Sequence, residues 1–78
     1  MKLDDYYDQE YQKLLDRLQA ARLEASLTQE EVAARLGRSQ SFVSRSETGE
    51  RRIDVIELQA FATIYQRPMS YFLGSTDE

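Results

Sequence analysis

Five arginines, Arg35, Arg38, Arg45, Arg51 and Arg52, supply all the basic groups between positions 31 and 52, where three acids leave a net charge of +2. The flanking segments, 1–30 and 53–78, each carry −3, and the whole chain carries −4. An arginine's planar fork of N–H donors fits a phosphate or the O6 and N7 edge of guanine, so this segment is equipped to hold a polyanion or to read a base. On a helix turning about 100° per residue, Gln40, Ser44, Thr48, Ser41 and Arg45 fall at about 0, 40, 80, 100 and 140°, one wholly polar face. Val43 and Ser46 fall near about 300 and 240°, pointing inward, with Phe42 near about 200° at the boundary. A face of amide, hydroxyl and guanidinium groups without an acid is what a base-reading surface needs. The competing reading of the same arginines is a solvated surface whose cations pair with Glu47 or Glu50.

Other chemistries lack their residues. The chain of 78 residues has no cysteine and no histidine, which removes disulfides, His or thiolate zinc sites, and Ser-His or Cys-His nucleophiles. The best case for an enzyme is a carboxylate pair such as Asp4 and Asp8, with no Gly-rich cradle or ligand cluster beside it; these acids read as helix-end charge. No catalytic site, metal site or cofactor is expected. No run approaches the roughly 18 apolar residues of a membrane span, and the acidic start MKLDDYYDQE does not suit a signal peptide, so a cytoplasmic protein with no membrane partner is expected.

The elements that must position the polar face are helices. One proline, no sustained alternation of apolar and polar residues and no Val/Ile/Thr-rich run predict an all-α chain in one domain spanning 1–78. Tyr7, Tyr11, Leu14, Leu18, Ala21 and Ala25 form one stripe of a first helix, with Asp4 and Asp5 at its N-terminus. Thr28 caps a second helix to Leu36, with Glu31 completing a capping box and Leu27 stapled to Val32. Gly37 ends it, Ser39 caps a third helix from Gln40 to about Thr48, and Gly49 closes that one. Asp54 and Glu57 repeat the capping box for a fourth helix, with Val55, Leu58, Phe61, Ala62 and Tyr65 as its core face and Ile53 stapled to Leu58. Pro68 is placed at the first position of a short fifth helix carrying Met69, Phe72 and Leu73. Residues 1–13 extend the first helix ahead of a core at about 14–73, and 74–78 read as a loose tail.

Two short helices joined by a tight turn containing Gly form the unit that lays its second helix in a DNA major groove. The stretch LTQEEVAARLGRSQSFVSRSETGERR resembles the helix-turn-helix of the XRE/Cro/cI-type family of bacterial and phage transcriptional regulators. Ala33, Gly37, Val32, Leu36 and Val43 stand where that pattern wants a small residue, a glycine and apolar residues. Ser46 departs from it, at a position that is usually large and apolar, and either leaves a void or is covered by another side chain. Ser26 and Gln66 stand where Gly is common, at a cost of about 1 kcal/mol each if the backbone there is left-handed.

The resemblance implies a compact five-helix bundle of the lambda-repressor-like type, with the motif formed by the second and third helices. It also implies that Gln40, Ser41 and Arg45 reach base edges, with Ser44 beside them, and that Gln29 bonds a phosphate and braces the first reading residue. Arg45 is matched to guanine and Gln40 to adenine. Phosphate contacts are expected from Thr28, Gln29, Arg38, Ser39, Thr48, Arg51 and Arg52, partly through helix N-termini. Phe42 pads the edge of the core.

One reading helix covers few base pairs, so a homodimer on an inverted-repeat operator is expected, its interface on Tyr65, Met69, Tyr71, Phe72 and Leu73. Tyr7 and Tyr11 pack against Tyr71 or Phe72, within one chain or across the dimer. The implied function is a sequence-specific double-stranded DNA-binding regulator, most simply a repressor. A phage repressor, a controller of a restriction-modification operon and an antitoxin all remain open. For the antitoxin, the acidic N-terminal extension is the candidate toxin-binding segment. The alternative class is a protein-interaction module, a helical bundle that uses the helix-turn-helix scaffold to bind an unidentified protein partner, with Arg45 and the other arginines as ordinary surface charges.

Overall fold

Side-chain caps at Thr28, Ser39 and Asp54 place the starts of three helices. The structure, a computed structural model, describes residues 1–74. In it α1 spans Leu3–Glu24, α2 Gln29–Leu36, α3 Gln40–Thr48, α4 Val55–Tyr65 and α5 Met69–Leu73, with no strand among the described residues. The expected tail lies, from residue 75 onward, outside the described residues.

Thr28 accepts a bond from the Glu31 amide at 3.1 Å while the Glu31 carboxylate accepts from the Thr28 amide at 2.8 Å. Asp54 and Glu57 repeat this reciprocal box at 2.7 and 3.1 Å, so both helices satisfy otherwise orphaned N–H groups at their starts. Ser39 Oγ accepts from the Phe42 amide at the start of α3. Gly37 turns the chain with φ 69°, leaving three residues between α2 and α3. Gly49, at φ 89°, is constrained twice, because a Cβ there would also stand 3.1 Å from Leu15 Cδ1. Pro68 caps α5 and does not enter it; its fixed φ serves the approach to the helix.

The core forms where the helices converge. Leu18, Val32, Val43, Phe61 and Phe72 are fully enclosed, and Ala21, Ala33, Leu58, Ala62 and Tyr65 complete the cluster. Leu27 and Ile53 pack against it from the positions just ahead of α2 and α4. Fully burying a leucine- or phenylalanine-sized side chain contributes about 1.5–3 kcal/mol, so this small set dominates the favourable side of folding.

Two expected core positions are corrected. Val55 is 61% exposed because it occupies the first turn of α4, beyond the reach of the bundle. The predicted α1 stripe is right at Leu18 and Ala21 but omits Leu15 and Arg22, both buried, while Tyr7 lies outside the core and keeps 37% of its surface exposed. Ser46 is enclosed, and its hydroxyl donates to the Phe42 carbonyl one turn back at 2.7 Å, which satisfies a polar group that burial would otherwise penalise.

Candidate nucleic-acid interface

The placement of α3 begins with a buried ion pair. Arg22 on α1 forks onto Glu47 on α3, Nε to Oε2 at 2.6 Å and Nη2 to Oε1 at 3.2 Å, and its Nη1 donates to the Leu27 carbonyl at 3.0 Å. The bond to Glu47 holds the Arg22 guanidinium above its ordinary range. Glu47 Oε1 also accepts from Gln29 Nε2 at 2.9 Å, and Gln29 Oε1 in turn accepts from Gln40 Nε2. A continuous relay therefore runs from α1 through α3 and α2 to the first residue of α3. Its Arg22–Glu47 links satisfy charges that would be costly to strand in the interior, while the Gln29–Gln40 link lies at the surface.

The opposite side of α3 is open. Gln40, Ser41, Arg45 and Thr48 are exposed and Ser44 is half-buried, the arrangement expected from helical periodicity. Arg45 approaches Glu50 only to 3.8 Å, with both side chains about two-thirds exposed. Ser41 Oγ lies 3.0 Å from Ser39 Oγ. Thr48 Oγ1 donates to the Arg45 carbonyl and accepts from the Glu50 amide, tidying the end of the helix.

Of the residues expected at phosphates, Thr28, Arg38 and Ser39 are exposed and Gln29 is half-buried. A surface depression of about 490 Å³ at the N-terminus of α2 is lined by Ser26, Thr28, Gln29 and Gln40 among others. Arg22 and Glu30 also line it, and the Thr28 amide at the helix start is already bonded to Glu31.

Arg51 and Arg52, expected at phosphates, each meet partners within the chain. Arg51 forks onto Glu57 at 3.0 and 2.9 Å, and its guanidinium lies over the Phe42 ring at 4.2 Å. That fork holds the Glu57 carboxyl below its ordinary range. Arg52 lies 4.8 and 5.0 Å from the ring centres of Tyr7 and Tyr11, which stack 5.3 Å apart at 10°. Tyr11 also accepts from the Ile53 amide at 3.0 Å. The N-terminal extension of α1 is therefore tied to the segment following α3 within one chain.

The expected dimer surface also needs correction. Tyr65 and Phe72 are core residues of a single chain, 4% and 0% exposed, because α5 folds back over α1 and α4. Burial pushes the Tyr65 phenol well above its ordinary range. Met69 and Tyr71 are half-buried against the core, and Leu73 is 59% exposed.

The residues missed from sequence are Arg22 and Glu47. The signal was clear for Arg22 and weaker for Glu47. Arg22 continues the steps of three and four from Leu15 and Leu18, whereas Glu47 falls at about 340° on the α3 wheel, at the boundary between Gln40 at about 0° and Val43 at about 300°. An arginine on an apolar stripe and a glutamate at the edge of an inward face are candidates for each other.

The chain matches the family described as a helix-turn-helix domain over residues 13–69. Among solved structures it is similar to an XRE-family like protein from Pseudomonas syringae pv. tomato str. DC3000, with a TM-score of 0.84 and 47% identity, covering 90% of this chain and 85% of that one. No curated protein matches.

Proposed function

Since the chain belongs to the XRE-type helix-turn-helix family, we propose that it is a sequence-specific double-stranded DNA-binding regulator, with α3 as its reading helix in the major groove. One observation carries this reading: α3 has an inward face locked by Glu47 and Val43 and an outward face on which Arg45 is 64% exposed in its side chain. Preorganised backbone with free forked donors is what base recognition requires. Arg45 pairs with guanine. Gln40, already oriented by Gln29, pairs with adenine, and Ser41 and Ser44 fill in beside them. The N-termini of α2 and α3, with Thr28, Gln29, Arg38, Ser39 and Thr48, hold the phosphates on either side.

The longest dimension of the chain is 39 Å, and one α3 contacts only a few base pairs. A homodimer built on Leu73, Tyr71 and Met69 would span an inverted repeat with half-sites about 34 Å apart and repress by occupying it in the cytoplasm. The acidic segments on both sides of the basic middle weaken non-specific binding and orient the correct face toward DNA.

The test is selection of bound duplexes from a random library at roughly 150 mM salt, stringent enough to suppress binding driven by phosphate alone. Enrichment of an inverted repeat containing guanine at a fixed half-site position is the expected result. Recovery of no motif by folded protein would overturn it.

A second reading rests on the α1 extension, where Leu3 and Tyr6 are 71% and 50% exposed among Asp4, Asp5 and Asp8. An apolar patch within acid suits a protein partner, as an antitoxin would need. Replacing Leu3 and Tyr6 by serine would abolish such a contact and leave DNA selection unchanged.

A further inference from the structure

We propose that Arg51 is a positioning residue for the reading helix, acting through Phe42, Ser46 and Glu57, and does not serve as a phosphate contact. The inference rests on the DNA-binding reading for its effect on affinity, and on geometry alone for its effect on α3.

Ser46 puts a small polar side chain at a fully enclosed position on the inner face of α3. Arg51 stands against that position from outside. Its Nη1 reaches 3.4 Å from Ser46 Oγ, and the same nitrogen and Nη2 close on the two oxygens of Glu57 at 3.0 and 2.9 Å. The plane of the guanidinium covers Phe42, which is itself part-buried on the core. The backbone completes the clamp, because the Arg51 amide donates to the Arg45 carbonyl at 3.3 Å. One side chain thus touches two residues of α3 and ties them to the first turn of α4.

Glu57 serves two structures at once. Its Oε1 accepts from both the Asp54 amide and Arg51 Nη1, so the capping box that starts α4 also aims the carboxylate at Arg51. A guanidinium committed to a carboxylate in a bidentate fork and to an aromatic face has few donors left for a phosphate, and opening the fork to reach one would release Phe42. Lysine could supply a phosphate with charge, but it has neither the fork nor the plane.

The two roles predict opposite results for the same variants. Arg51→Lys keeps the charge and loses the fork. Glu57→Gln keeps the capping box, which accepts glutamine, and removes the negative charge beside the arginine. If Arg51 positions α3, both variants lower affinity for the selected duplex by roughly three- to tenfold, with the dependence of log affinity on log salt unchanged. In the DNA-free protein, amide hydrogen exchange quickens between Phe42 and Gly49 and stays unchanged in the middle of α1.

If Arg51 instead bonds a phosphate, Arg51→Lys retains affinity, Glu57→Gln raises it by freeing a cation, and Arg51→Ala flattens the salt slope by about 0.9. Any of these three overturns the proposal. Should the wild-type chain select no duplex, the DNA-binding reading falls by itself, and the exchange measurement still decides whether Arg51 holds α3: unchanged rates in Arg51→Lys would reject it.

Discussion

The two sides of α3 each carry an arginine–glutamate pair, and the pairs do opposite things. Arg22–Glu47 faces inward at 2.6 Å, with side chains 10% and 3% exposed; Arg45–Glu50 faces outward at 3.8 Å, with side chains 64% and 68% exposed. In the interior neither charge can return to water, so each depends on the other and on the amides and carbonyl around it. At the surface water and salt screen the attraction, and the pair contributes almost nothing to folding. Identical chemistry therefore becomes architecture on one side of a nine-residue helix and a loose, solvated pair on the other. Between them stands Arg51–Glu57, with side chains 31% and 28% exposed.

Breaking the inner pair should have the largest effect. Glu47→Ala leaves the Arg22 guanidinium buried and unpaired, and should cost about 3–5 kcal/mol in urea-induced unfolding. Replacing both partners, Arg22→Met with Glu47→Leu, should recover most of that loss, because a packed apolar pair needs no compensating charge. A single-variant cost of under about 1 kcal/mol would dissolve the contrast between the two faces.

The outer pair should respond in binding and not in folding. Arg45→Ala should weaken binding to the selected site by about 1–3 kcal/mol, with the loss concentrated at one guanine position. Its unfolding free energy should stay within about 0.5 kcal/mol of wild type. Equal losses of stability and binding would mean that Arg45 belongs to the fold.

The intermediate pair sharpens the comparison through pH. Because the Arg51 fork lowers the Glu57 carboxyl in the folded state, that carboxyl's contribution to stability is complete above the unfolded pKa of about 4.3. It is lost as pH falls through the lower folded value. Thermal unfolding of wild type and Glu57→Gln between pH 7 and pH 3 should therefore converge on acidification, the difference shrinking below about pH 4.3. A constant offset across that range would show that the pair gives no stability through the charge of Glu57.

Much of the fold was legible because its signals are local. Thr28 with Glu31 and Asp54 with Glu57 announce their own helix starts within four residues, and Gly37 announces the turn. The polar face of α3 was legible for the same reason, since periodicity needs only one helix. What failed to read out depends on elements distant in sequence. Arg22 and Glu47 meet across 25 positions, and Arg52 finds Tyr7 and Tyr11 from the far side of the motif. Phe72 looked like interface because α5 is too short to show from sequence which of its faces folds back on α1.

The smallest effect tests whether stability and reading are separable away from α3. Three helices end in the same reversal. Leu27 donates to the Arg22 carbonyl and Ser26 to Leu23; Arg38 donates to Ala33 and Gly37 to Ala34; Arg67 donates to Ala62 and Gln66 to Thr63. Each reversal needs a left-handed residue, found at φ 60° for Ser26, 69° for Gly37 and 58° for Gln66. Only the one inside the helix-turn-helix has the glycine that adopts this conformation without a Cβ clash. The hydrogen bonds at the other two are as complete, so the cost there is conformational. Ser26→Gly and Gln66→Gly should each raise unfolding free energy by about 0.5–1 kcal/mol, the steric relief being partly offset by glycine's greater freedom in the unfolded chain. Gln66→Gly should leave duplex affinity unchanged. Ser26 also borders the depression at the start of α2, so an affinity change confined to Ser26→Gly would place that turn within the phosphate-holding surface, whereas none in either variant would confine reading to α3 and the two helix N-termini.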